Sequence, residues 1–131
     1  MQRSLVGSEM CIRDSYREQS LLVQELAENS DCVIVGRSAD YILRDKNPLR
    51  LFIYADMESR MERCRKRAPE QEHFTDKELR RHIQDVDKRR SKYYQFFTGQ
   101  TWGEKLNYDL CINTSGANIE DLVKVIAKLV K

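Results

Sequence analysis

Three short apolar runs rich in β-branched residues constrain this chain more than any other feature. They are Cys32-Val33-Ile34-Val35-Gly36, Leu49 to Ala55, and Tyr108 to Ile112. Unbroken apolar character suits a strand buried on both faces of a parallel sheet, since polar alternation is needed only where one face meets water. Gly36 closes the first run, Asn47-Pro48 precedes the core of the second, and Asn113-Thr114-Ser115-Gly116 follows the third, all turn chemistry. Helical periodicity fills the intervals. Tyr16 to Glu28 reads as a helix, with Leu22 and Leu26 four apart and Asn29-Ser30 ending it. Met57 to Arg67 reads as a second helix, N-capped by Asp56 and stopped by Pro69. A polar loop spans Ala68 to Phe74, and Thr75-Asp76-Lys77-Glu78 then forms a capping box. The long helix that follows carries Leu79, Ile83, Val86, Tyr93 and Phe97 on one face. Ile119, Leu122, Val123, Ile126 and Val130 mark a last amphipathic helix. Strands alternating with helices predict an α/β fold with a mostly parallel sheet.

A chain of 131 residues is one domain's worth. Its 40% hydrophobic and 34% charged residues leave material for one modest core. Net charge is only +2, so bulk electrostatics predict neither a nucleic-acid nor a membrane partner. The distribution says more: Arg60 to Lys92 holds twelve Lys or Arg against seven Asp or Glu, which points to a local anionic ligand. Cys11, Cys32, Cys64 and Cys111 form no CxxC pair, and no His stands at metal spacing. Cys32 and Cys111, inside apolar runs, are expected in the core, and no metal is expected. Without a long apolar span or signal peptide, the expected location is the cytoplasm. The opening MQRSLVGSEMCIRDS, residues 1–15, lacks clear periodicity and resembles translated adapter sequence; it is expected to be a non-native leader to a domain over 16–131.

Three groups of residues carry candidate chemistry. On the second helix, Arg60, Arg63 and Arg67 fall along one edge of the Met57/Met61/Cys64 stripe, where planar guanidiniums match phosphate oxygens. On the long helix, Arg90 takes an apolar-stripe position between Val86 and Tyr93, and Asp87 stands where it can orient it. Gly36-Arg37 ends the first run, at the strand end where open α/β sheets bind ligands, and Asp40 follows as a hydrogen-bond acceptor for a base or sugar.

Val35-Gly36-Arg37-Ser38-Ala39-Asp40-Tyr41-Ile42-Leu43 followed by Phe52-Ile53-Tyr54-Ala55 resembles the cytidylate-kinase-like group of P-loop nucleoside monophosphate kinases. So do Asp87-x-x-Arg90-x-x-Tyr93-Tyr94, Thr98-Gly99-Gln100-x-Trp102-Gly103 and Asn107-Tyr108-Asp109-Leu110. The resemblance covers nearly all of 16–131. It implies a three-layer α/β/α P-loop-kinase-like fold, with ATP and Mg²⁺ as cofactors of the intact family and a CMP-like monophosphate as partner. It implies that Arg37 grips the acceptor phosphate, that Asp87 and Arg90 contact the acceptor, and that Arg63 belongs to a lid with Arg60 and Arg67 around loop 68–75. Arg63 and Arg90 are thereby the candidate catalytic residues. Where cytidylate kinases proper carry a cytosine-reading aspartate, this chain has Ser38.

No G-x-x-x-x-G-K-[ST] string occurs, and Gly99 to Lys105 has the wrong spacing to replace it. The expectation is therefore an N-terminally truncated kinase domain, lacking first strand and P-loop, inactive alone and holding no cofactor tightly. The rival is a non-enzymatic module binding nucleic acid or an acidic protein, with Tyr93, Tyr94, Phe96, Phe97 and Trp102 available for stacking.

Overall fold

The computed structural model describes residues 8–67 and 74–130, with side chains from residue 13 onward. The chain divides into two compact units, Met1–Pro48 and Leu49–Lys131.

In the first unit, helix α1 spans Ser8–Asn29, starting upstream of the expected Tyr16. Its core-facing positions are Val23, 3% exposed, and the half-buried Ala27, not the expected Leu22 and Leu26, which are 56% and 44% exposed. Val23 packs with Ala39 and Leu43 from the short helix α2, Ala39–Ile42, and its following turn. A 3-10 turn, Arg44–Lys46, completes the unit, with the Arg44 guanidinium stacked 4.0 Å from the Tyr41 ring centre.

The run Cys32 to Gly36 does not form the expected strand. Ile34 packs against the Val23 cluster, while Val33 and Val35 stand 94% and 87% exposed. The side chains alternate as in a strand, but no described neighbour supplies the ladder hydrogen bonds that define one. Cys32, expected in the core, is exposed for the same reason.

The second unit holds strand β1, Leu51–Tyr54, helix α3, Met57–Arg67, helix α4, Asp76–Thr98, strand β2, Leu110–Asn113, and helix α5, Ile119–Ala127. The two strands pair in parallel, Leu51 opposite Leu110 and Tyr54 opposite Asn113. The fold is thus α/β with a two-stranded parallel sheet among the described residues. Asp109 sets the register: its carboxylate accepts the Arg50 N–H at 2.7 Å and lies 3.5 Å from the Arg50 guanidinium. That backbone bond holds the Asp109 carboxyl below its ordinary pKa.

Both helices begin as their sequences dictate. Asp56 accepts the Ser59 N–H at 2.7 Å to start α3, and Thr75 and Glu78 close the capping box on α4. Loop 68–75 lies outside the described residues from 68 to 73. Met61, Leu79 and Ile83 form the buried seam between the helices, joined by Met57, Cys64 and Phe74. Gly99, at φ 71, ends α4 in the left-handed conformation that glycine adopts without strain.

A second apolar group packs at the start of the sheet. Phe52 lies edge-on to Trp102, ring centres 5.4 Å apart, and 5.0 Å from Tyr108. Gly103, at φ +85, presses its backbone to within Cβ-contact distance of the Phe52 ring. Cys111, expected in the core, is exposed, because β2 has no layer over that face among the described residues. Likewise α5 has its expected apolar face, yet Ile119 and Val123 are 48% and 58% exposed and only Leu122 and Ile126 are half-buried.

Candidate functional site

The carboxyl ends of β1 and β2 are stitched together by the loops that leave them. The Thr114 N–H donates to the Tyr54 carbonyl at 2.8 Å, and its hydroxyl reaches the same carbonyl at 3.0 Å. The Asp56 N–H donates to Ser115 Oγ at 2.7 Å, and the Ser115 N–H to Asn113 Oδ1 at 3.0 Å. The sequence foretold turn chemistry here, but not that Thr114 would be 2% exposed.

Arg63 reaches this rim from α3. Its guanidinium donates to Thr114 Oγ1 at 2.9 Å and to the Thr114 carbonyl at 2.6 Å. Two neutral acceptors fix its direction without cancelling its charge, and no carboxylate among the described residues lies within ion-pair distance. Arg63 also acts on Asp56, whose carboxyl is held low by the Ser59 N–H first and by Arg63 last. A positive group so placed, at the carboxyl edge of parallel strands, sits where α/β sheets receive ligands.

Arg60, one turn earlier, is committed elsewhere. It grips Asp87 of α4 with two bonds, 2.6 and 2.7 Å, the fork-to-fork geometry of a strong guanidinium–carboxylate pair. The carboxylate raises the Arg60 pKa further above its ordinary value. Asp87 therefore orients Arg60 and joins α3 to α4, correcting the expected Asp87–Arg90 pairing. On a helix, residues three apart are neighbours, but the acid here finds a better donor across the interface.

Arg90 is also corrected. Its helical position falls among Leu79, Ile83 and Val86, yet it is exposed, because the helix seam ends before its turn and nothing described covers it. Arg67, at the end of α3, is exposed as well.

In the first unit, Gly36, Arg37 and Ser38 have φ values of 71, 59 and 54. Left-handed backbone is free for glycine, but costs other residues roughly 1–2 kcal/mol each. Two consecutive non-glycine residues in that state are the strain that accumulates at functional turns. The turn leaves Arg37 exposed and Ser38 5% exposed, with the Ser38 hydroxyl unpartnered. Asp40, in the first turn of α2, is half-buried and has a partner of its own. Gly36 hinted at the turn; nothing in the sequence marked Arg37 and Ser38 as left-handed.

Among the described residues, Gly99–Lys105 does not form a donor-nucleotide cradle. The glycine-containing stretch Gly99–Lys105 caps α4, presses Gly103 on Phe52 and opens a 3-10 turn at Lys105, whereas a phosphate cradle needs N–H groups converging at a helix start. Among the described residues no three His, Cys, Asp or Glu side chains cluster to hold a metal. No described helix is long and apolar enough to cross a membrane.

Comparison with known proteins places these features in a lineage. No curated protein matches the chain. Among solved structures it is similar to an uncharacterized protein from Eubacterium ventriosum ATCC 27560, at 28% identity and a TM-score of 0.78. The match covers 91% of this chain and 66% of that one, so the chain spans just under two thirds of that relative's length. A family model described as the cytidylate kinase-like family matches residues 2–116, which include the Gly36-Arg37-Ser38 turn, Arg60 and Arg63 of α3 and the Thr114 rim. The chain belongs to the cytidylate kinase-like family.

Proposed function

We propose that this chain is the acceptor-binding part of a nucleoside monophosphate kinase that transfers the γ-phosphoryl group of ATP to CMP or a related monophosphate. The observation that carries this reading is Arg63, aimed by Thr114 at the carboxyl rim of a parallel strand pair, with no carboxylate among the described residues within ion-pair distance. Such transfer relies on positioning and on cations that offset charge in the transition state, and Arg63 is a fixed cation of that kind. Arg60 and Arg67 extend the lid, with Asp87 holding Arg60 in place. Within the second unit Arg90 is read as an acceptor contact, and within the first unit Arg37, Ser38 and Asp40 are read as phosphate and nucleoside contacts.

The Asp87 role differs from the one the resemblance implies: it acts through Arg60. Ser38, small and with an unpartnered hydroxyl, takes the base-reading position. The two-stranded sheet is read as part of a three-layer α/β/α P-loop-kinase fold. Because this sequence offers no donor cradle, the chain binds a monophosphate but does not turn over ATP on its own. Its compartment is read as the cytoplasm.

Calorimetric titration of the chain with CMP, UMP, AMP and inorganic phosphate, alongside an ATP/CMP phosphoryl-transfer assay, tests this. Saturable, base-dependent monophosphate binding without turnover is expected. Binding no better than inorganic phosphate removes the acceptor-site reading, and robust turnover removes the claim that the chain is inactive alone.

A further inference from the structure

The family reading leaves unused a row of residues on the solvent side of α4. His82, Asp85, Arg89, Lys92 and Phe96 recur at alternating spacings of three and four, which keeps them on one face. His82, Asp85, Lys88, Arg89 and Lys92 line one open groove. All six are exposed. Leu79 and Ile83 occupy the opposite, buried side of the helix.

Lysine and arginine outnumber acids three to one on this row, Asp85 being the acid. Among the described residues, Lys88, Arg89 and Lys92 form no ion pair, and Asp85 closes none with them. Like charges one helical turn apart repel, so three cations held this close favour an anion laid along them. At the end of the row Phe96 is 55% exposed, braced edge-on by Phe97 with ring centres 4.8 Å apart.

We propose that this face of α4 binds single-stranded nucleic acid, with Lys88, Arg89 and Lys92 tracking phosphates and Phe96 stacking on a base. A backbone-tracking cation row ended by a braced aromatic is what such ligands require. The row from His82 to Phe96 is about 21 Å long at 1.5 Å per residue, enough for several nucleotides. An acidic peptide would match the cations but has no base for Phe96. A membrane surface would need more than one exposed apolar side chain on the row. The row shares no residue with the proposed acceptor contacts.

Fluorescence anisotropy with a labelled oligouridylate, over a range of salt concentrations, tests the proposal on the full chain. Three phosphate contacts give a log–log salt slope of about −2, at about −0.7 per contact. Arg89→Gln with Lys92→Gln reduces the magnitude of that slope by about 1.4. Phe96→Ala weakens binding roughly tenfold with the slope unchanged. Lys105→Gln with Lys124→Gln, exposed cations off the row, has the same net charge as the first pair and leaves the slope intact; circular dichroism confirms that each variant folds. Absence of binding at low salt, equal effects from the two double variants, or equal competition by polyglutamate or anionic vesicles would overturn the proposal. CMP titration of the same variants is unchanged, so failure here and failure of the kinase reading are told apart.

Discussion

Arg60 on α3 and Asp87 on α4 are joined by two parallel hydrogen bonds of 2.6 and 2.7 Å across the seam that Leu79 and Met61 fill. The pair is about 30% exposed on each side, so water screens it only in part. Asp87→Asn is expected to cost about 1–2 kcal/mol, between an exposed pair and a charge-assisted buried bond. Arg60→Gln with Asp87→Asn should cost less than the two single changes summed. Urea unfolding of all four proteins completes the cycle; strict additivity would deny the coupling.

Thr114 serves two partners with one hydroxyl. Thr114→Val keeps shape but leaves the Tyr54 carbonyl short of one donor and Arg63 short of one acceptor, for a loss of about 1–3 kcal/mol. Thr114→Ser retains both bonds and should lose much less. Thermal melts compare them, and equal losses would mean that packing of the methyl matters, not the hydroxyl.

Arg63→Gln keeps hydrogen-bonding capacity near Thr114 and removes the charge. Loss of a charged hydrogen bond to phosphate predicts at least a tenfold weaker CMP affinity, on the order of 1.5–3 kcal/mol. Calorimetry reads this directly, and unchanged affinity would move the phosphate site away from the strand rim.

Acid should loosen the second unit before neutral pH does. Asp56 and Asp109 both titrate below their ordinary range, each chiefly through a backbone N–H it accepts. A depressed folded pKa means the contribution is complete above the unfolded value, about 3.9, and fades as pH falls through the folded value. Stability is thus expected to be flat from neutral pH to about 5 and to drop below about 4. Asp109→Asn should shrink that drop in melts run across the acid range.

Ile53, Tyr54 and Leu110 are exposed on a sheet with two unpaired edges among the described residues. Two-stranded sheets are marginal alone, and open edges invite pairing with other chains. Concentration-dependent self-association in sedimentation is expected, with a broad unfolding transition. A sharp transition of a monomer above about 60 °C would contradict it.

Local chemistry was legible in the sequence alone. The Asp56 and Thr75–Glu78 caps, the bounds of α3 and the α4 stripe at Leu79 and Ile83 follow from interactions a few residues apart, which the order of residues specifies directly. The family likewise lay in the ordered motifs. Tertiary structure alone decided which partners those residues took. Asp87 chose Arg60 over Arg90, Thr114 became the acceptor for Arg63, and Val33 and Val35 stood exposed with no strand beside them among the described residues. Helical neighbours are set by spacing, but a carboxylate goes to the donor with the best geometry, and a strand exists only where a second backbone completes its hydrogen bonds.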